Sequence, residues 1–467
     1  MFKNKLFVNS FWSVASSLFQ NIIFSVFFII MARSYETVEF SEYILANTLY
    51  GMILSFSSLG LSQWYIREYQ EGKSESDIST LFLKIQFIAG VLFYVINVSL
   101  SYLLYKESAI HVLSIFLGIN IIFDNLIHVF KTINIVTFKQ RQSFAILSIE
   151  ALLKLCLGFY ILYGAPDIIV VALFLILFRT ITLWLFLHAE NKGLIKINRL
   201  FQLHLELAII FKTLYNNRYF LLIGSISVLF WSVGNILVSK FLDLERVADY
   251  EISFKLFTMA EIIPVMVSTT IFPVLVEKIK LKPLERNKFI RTVFIANLLY
   301  GLFVYTFITS FSGDLIPLLF GQKYNLTSAY CNEMFLTILF FPSVLFQANL
   351  LVALKMERID MYLNLLSLLI NIGLAVSGLY ITKSLSAINY SIFISFFIFH
   401  LSQEIYLIKK GITQIEHAFV FYIVLCFVLF GYTFFKTLIP VLYLFPIFWI
   451  IIFLMFLPQI KLSLAKA

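Results

Sequence analysis

Apolar runs long enough to cross a bilayer recur along almost the whole chain, and that recurrence decides what it can fold into. A run of about 20 residues spans the ~30 Å hydrocarbon layer as a helix. Fourteen such runs can be drawn: 10–33, 44–66, 81–105, 109–136, 143–163, 167–188, 218–241, 249–276, 289–311, 331–354, 360–381, 385–408, 418–436 and 440–457. Pro440, Pro446 and Pro458 punctuate the last hairpin, which is therefore either two spans or one re-entrant pair. Hydrophobic residues make up 61% of the chain and charged ones 13%, against roughly a quarter charged in soluble domains. No water-surrounded core could hide so much apolar surface, so the expected fold is an all-α polytopic membrane protein. Lys3 and Lys5 precede an apolar stretch longer than that of a cleaved signal, so the first run is expected to stay as a span.

Charge sets the orientation. With the N-terminus inside, 24 of the 35 Lys and Arg fall in inside segments, 8 in outside segments or adjoining span ends, and three (Lys84, Lys154, Arg179) within spans. By the positive-inside rule both termini are cytoplasmic. The net charge of +9 is thereby explained by the membrane, without nucleic acid as a partner. Cys156, Cys331 and Cys426 lie in apolar runs without CxxC spacing, which disfavours disulfides and metal. There is no GxxxxGK[ST] phosphate loop, no HExxH and no GxSxG, and no external loop exceeds about twenty residues, so an enzymatic role finds no support.

A faint internal repeat organises the spans. Arg33 is followed ten residues later by Tyr43, with Glu42 before it; Lys240 is followed ten residues later by Tyr250, with Asp249 before it. Asn9 and Met52 recur at the same offset as Asn216 and Met259. Repetition after an even number of spans gives two lobes of like orientation, the architecture of a rocking transporter with a central cavity. The expected organisation is an N-lobe at 1–188, a linker at 189–217, a C-lobe at 218–408 and a C-terminal helix pair at 409–467. Within the linker, Ile197, Leu200, Phe201, His204, Leu207 and Ala208 have helical spacing, which suits either an amphipathic surface helix or a solvated connection.

Intramembrane charge is the remaining signal. Each ionisable group at mid-bilayer costs about 2.5–3.5 kcal/mol, so Asp124, Glu150, Lys154, Arg179 and Glu261 would cost about 12–17 kcal/mol together if they faced lipid. They must face the interior. Glu150 and Lys154 stand at i and i+4, which suits an internal ion pair. Asp124 and His128 share that spacing and are either a proton-titrating pair or hydrogen-bonded packing. Arg179 either pairs with Asp124 or offers an uncompensated charge to a substrate. Arg33, Lys240 and Lys255 sit at the outer ends of the repeated spans, where each could snorkel to headgroups or help make the cavity electropositive. Lys84 would serve an inward-facing mouth. Such a cavity attracts a phosphate-bearing substrate. Glu261, three residues before Pro264, is a candidate coupling site. Trp231, mid-span beside Asn235, suits either sugar stacking or packing.

The opening, from Phe7 to Tyr69, resembles bacterial polysaccharide flippases, the Wzx-like branch of the multidrug/oligosaccharidyl-lipid/polysaccharide (MOP) exporter superfamily. The resemblance rests on a first span ending in Arg33, an acidic loop ending in Glu42–Tyr43, the Gly60–Leu61 turn and the basic exit at Arg67, and it recurs more loosely at 216–276. It implies a two-lobed bundle with a cationic cavity, lined by the first and second spans of each half. It implies transfer of an undecaprenyl-diphosphate-linked oligosaccharide, an O-antigen or related unit, to the outer leaflet of the bacterial inner membrane. Membrane lipid, a coupling proton or sodium ion, and the polymerase and chain-length proteins of the pathway would be its partners; no cofactor is implied. By position Arg33, Lys240 and Lys255 become cavity candidates, and the last helix pair stands outside the lobes. A drug or cation antiporter of the same superfamily would want an acidic interior instead. A membrane glycosyltransferase or polymerase would want a large external loop or an acidic pair at a membrane face.

Overall fold

The computed structural model describes residues 2–71, 74–164, 166–189, 207–279 and 283–464. Among them the chain is all-α. Helices α1 (Phe2–Ser34), α2 (Thr37–Ser57), α3 (Leu61–Gln70), α4 (Glu75–Tyr105), α5 (Ala109–Val136), α6 (Gln140–Gly164), α7 (Ile168–Ala189) and α8 (Leu207–Phe241) come first. Then follow α9 (Glu245–Lys278), α10 (Pro283–Phe320), α11 (Thr327–Met334), α12 (Phe341–Ala353), α13 (Glu357–Thr382), α14 (Ser386–Lys409), α15 (Ile415–Lys436) and α16 (Val441–Leu464). Among the described residues twelve segments are long and apolar enough to cross a membrane, one of them assembled from α11 and α12, and α16 adds a shorter apolar stretch. The protein is thus a multi-pass membrane protein. Helix α2 is less apolar because Glu39, Glu42 and Asn47 interrupt its 21 residues.

Each expected run falls on helix, but two of them break where the sequence reading drew one rod. The run 44–66 is split: α2 stops at Ser57, and Leu59 (φ 52°) and Gly60 (φ 61°) turn the chain through the left-handed region before α3 starts. Glycine takes that conformation without the Cβ clash that burdens leucine. The run 331–354 is split by a 3-10 turn at Phe335–Leu339. That segment presses so closely on α10 that a Cβ on Gly301 would stand 2.7 Å from the Ile338 carbonyl oxygen. The expected surface helix of the linker lies largely outside the described residues.

The chain forms two compact units, Met1–Ser239 with Asp243–Ala248, and Lys240–Leu242 with Asp249–Ala467. In the first, α5 is the central helix and packs on α2, α4 and α7, while α1 packs on α6. The α4–α5 seam is tight: a Cβ on Gly118 would meet Asn97 Nδ2 at 2.5 Å, and that amide donates to the Ser114 carbonyl at 3.0 Å. A core of Trp64, Tyr65, Phe82, Phe130 and Phe186 closes one end. Trp64, only 5% exposed, packs inside the protein. Helix α8 groups with this unit: Asn235 Nδ2 donates to Thr48 Oγ1 at 3.1 Å, and Ser239 and Tyr105 share a hydrogen bond at 2.6 Å. In the second unit α10, α12, α13 and α14 pack together and α15 lies against α10.

Candidate functional site

The intramembrane charges of the first unit converge. Helix α5 carries Asp124, α6 carries Glu150 and Lys154, and α7 carries Arg179. Because α5 packs against α7, and α6 against both, their inward faces meet. Arg179 bridges two acids: its Nε lies 3.1 Å from Asp124 Oδ1 and its Nη1 2.8 Å from Glu150 Oε2. Lys154 Nζ takes the other Glu150 oxygen at 2.9 Å and sits 4.1 Å from the centre of the Phe24 ring on α1. Thr182 donates to Glu150 at 3.1 Å, and the Tyr50 hydroxyl of α2 donates to Asp124. The fork of a guanidinium suits this double engagement, which a lysine could not copy.

Of the two sequence readings of Arg179, pairing is the observed one, and it extends to Glu150 as well as Asp124. Asp124 and His128 do not pair with each other. His128 Nε2 instead shares a hydrogen bond with Ser62 Oγ at 2.5 Å, and Ser62 reaches Thr132 at 3.1 Å.

Beside this network lies a cavity of about 260 Å³. Its wall includes Gln20 of α1, Ser58, and from α5 Asp124, Asn125, His128 and Lys131, with Arg179 opposite. Lys131 is exposed to solvent-accessible space. Asn125 accepts from Ser57 at 2.9 Å, and its buried Nδ2 has no hydrogen-bond partner. Gln20 is held by Ser16 Oγ at 2.8 Å. Counting Asp124, Glu150, Lys131, Lys154 and Arg179, the group carries one net positive charge. Sequence reasoning assigned Lys131 to a cytoplasmic segment and so missed it. The signal was present: Asp124, His128 and Lys131 stand at i, i+4 and i+7, one face of α5.

The other candidates lie elsewhere. Arg33 is exposed in the last turn of α1, and Lys240 is exposed in the last turn of α8, so the repeat places both at equivalent helix ends. Tyr43 and Tyr250, the repeated tyrosines, are both buried early in the helix that follows. Lys84 is half-buried on α4. Lys255 is half-buried on α9 in the field of Glu251, one turn before it. Glu261 is half-buried on the same helix, which continues through Pro264 and Pro273. Trp231 packs edge-on to Phe230, their centroids 5.3 Å apart. Among the described residues no group of three or more His, Cys, Asp or Glu could hold a metal.

A family model described as polysaccharide biosynthesis protein matches residues 6–279. No curated protein matches the chain. Among solved structures, the fold is similar to the lipid II flippase MurJ in an inward closed conformation, with 15% identity, 95% of this chain and 98% of that chain covered, and a TM-score of 0.73. It is also similar to an inward-facing multidrug resistance MATE family transporter of the MOP superfamily, at 12% identity, 84% and 94% coverage and a TM-score of 0.68. A MOP superfamily transporter from Pyrococcus furiosus matches at 13% identity, 88% and 96% coverage and a TM-score of 0.60. At these identities the structures speak to fold, while the family model spans more than half of the chain. A bundle of apolar helices with its charges gathered inside the first unit is thus the fold of a MOP-superfamily transporter, and the chain belongs to the polysaccharide biosynthesis protein family.

Proposed function

We propose that the protein is a flippase that moves an undecaprenyl-diphosphate-linked oligosaccharide, an O-antigen or related surface-glycan unit, from the cytoplasmic to the outer leaflet of the bacterial inner membrane. The observation that carries this reading is the donor-rich cavity of the first unit, where Lys131 and Arg179 join Asn125 with its unpartnered Nδ2. Charge-assisted bonds to phosphate gain strength in such low-dielectric surroundings. A space of about 260 Å³ suits a phosphate-sized group more than a whole oligosaccharide. It would therefore hold the phosphate end, with the polyprenyl tail left in lipid.

In this proposal residues 1–188 and 218–408 are lobes that alternate access, 189–217 joins them, and 409–467 is an added helix pair. Both termini are cytoplasmic. Arg33, Lys84, Lys240 and Lys255 extend the basic path, while Lys154 holds Glu150 in place. Glu261 takes part in coupling to a proton or sodium gradient. A polymerase and chain-length proteins would receive the product. The antiporter reading asks for a carboxylate open to a cationic drug, and Asp124 and Glu150 are already engaged by Arg179 and Lys154.

The test is complementation of a deletion strain, scored by surface glycan at matched protein level in the membrane. Lys131→Gln is expected to cut glycan display at least tenfold. Full display with Lys131→Gln, and also with Arg179→Lys, would discard the cavity as the phosphate site.

A further inference from the structure

The cavity beside the Arg179 network sets donors against a fixed acceptor. Lys131 of α5 and Arg179 of α7 supply the donors, and Gln20 of α1 lines the same space. An amide can stand either way round, yet here its neighbour makes the choice. Gln20 Nε2 donates to the Ser16 carbonyl oxygen at 3.0 Å and lies 2.8 Å from Ser16 Oγ. A carbonyl only accepts, so the nitrogen must face it and Oε1 must face away. Ser16 stands one turn earlier on α1 and is buried, so the anchor belongs to the packed part of the helix.

Neighbouring acceptors are engaged. Asp124 Oδ1 takes Arg179 at 3.1 Å, its Oδ2 takes the Tyr50 hydroxyl, and the Ser58 carbonyl takes Gln86 Nε2 at 2.9 Å. Gln20 Oε1, by contrast, receives no hydrogen bond from any described residue, and the side chain is only half-buried. It does not suit a phosphate. A diphosphate diester is ionised at neutral pH and carries no O–H, so an amide oxygen beside it sets negative against negative. A polyprenyl tail is hydrocarbon and has no donor either. What remains is the sugar. In a glycosyl diphosphate the C2 substituent is vicinal to the phosphate-bearing carbon, while the ring oxygen on the other side of that carbon is an acceptor. The C2 group is therefore the sugar donor nearest the phosphate. Leu54, Ile127 and Leu147 lie in the same wall and do not compete for Oε1.

We propose that Gln20 is a specificity-determining residue, whose Oε1 reads a hydrogen-bond donor, hydroxyl or amide N–H, on C2 of the sugar joined to the diphosphate. This rests on the reading of the cavity as the phosphate site and adds a direction to it: the sugar lies toward α1, with the phosphates toward Lys131 and Arg179. A ligand that lacks the donor takes water from Oε1 and gives nothing back, which is how a polar group rejects an analogue.

Equilibrium binding to the full-length protein in detergent tests it, with short-chain polyprenyl diphosphates carrying glucose, N-acetylglucosamine or 2-deoxyglucose as probes. The wild type is expected to bind the better of the first two about tenfold more tightly than the 2-deoxyglucose probe, the scale of one neutral hydrogen bond. Which of the two is better tells hydroxyl from amide. Gln20→Met, which keeps the length and removes the acceptor, should bring that ratio to about one. Gln20→Asn, which draws the acceptor back by one methylene, should shrink it too and serves if the first variant does not insert. Equal binding of all three probes by the wild type overturns the proposal, as does a tenfold ratio that survives Gln20→Met. If the probes then still bind and Lys131→Gln weakens all of them alike, the phosphate site stands while the reading of C2 falls. Binding of no probe removes both.

Discussion

Two pairs of inward carboxylates, Asp124 and Glu150 in the first unit and Asp360 and Glu404 in the second, are treated in opposite ways. In the first, Asp124 and Glu150 are met by Arg179 and Lys154 at 2.8–3.1 Å, so the charges are closed within the protein. In the second, Asp360 and Glu404 meet the amides of Gln403 and Gln347. The first arrangement is closed by opposite charge; the second is held by neutral hydrogen-bond donors. The difference teaches that buried acid in a transporter does not have one meaning, because its partners decide whether it is a charged staple or a hydrogen-bonded polar group.

Removing one member of the closed network should have the largest effect. Glu150→Ala leaves Lys154 and one arm of Arg179 uncompensated, and breaking a buried pair costs about 3–5 kcal/mol. Thermal unfolding in detergent should show that loss, and a wild-type melt would mean the network is not structural. Arg179→Lys keeps the charge but cannot reach both acids, so a smaller loss of about 1.5–3 kcal/mol is expected, the scale of one hydrogen bond to a charged group. Equal stability of the two proteins would show that bridging does not matter. Glu404→Gln inverts the outcome: it should leave stability unchanged or raise it, because a buried charge without an ion-pair partner disappears. A large loss there would make the second pair as closed as the first. Lys131→Gln should move stability least, within about 0.5 kcal/mol as for an unpaired accessible side chain, while glycan display falls. A melt shifted well beyond that would place Lys131 in the staple.

Much of the first unit was readable before the structure. Glu150 and Lys154 announce themselves by their i, i+4 spacing, and the cost of charge in hydrocarbon forces Arg179 to find acid. What the sequence could not tell is that one guanidinium reaches two helices, since that depends on how α5, α6 and α7 rotate against one another. The turn at Leu59–Gly60 was hidden because leucine continues the apolar pattern on which span boundaries are drawn, and Ser62 thereby acquires His128 as a partner. Lys131 was counted with the orientation signal and so lost to the site. Asp360 and Glu404 escaped because acids at span ends look like ordinary boundary markers, and only packing shows them buried. In each case the residue type was informative and its neighbour across the bundle was not.

The hydrogen bonds that pin α8 to α2 and α4 also bear on where the chain can be divided. A polypeptide severed between 189 and 207 would yield a second fragment whose opening helix leaves its polar partners, Thr48 and Tyr105, on the first. Coexpressed fragments cut there must reassemble through that helix. A cut after Leu242 would leave α8 with those partners and let the second fragment open on α9 instead.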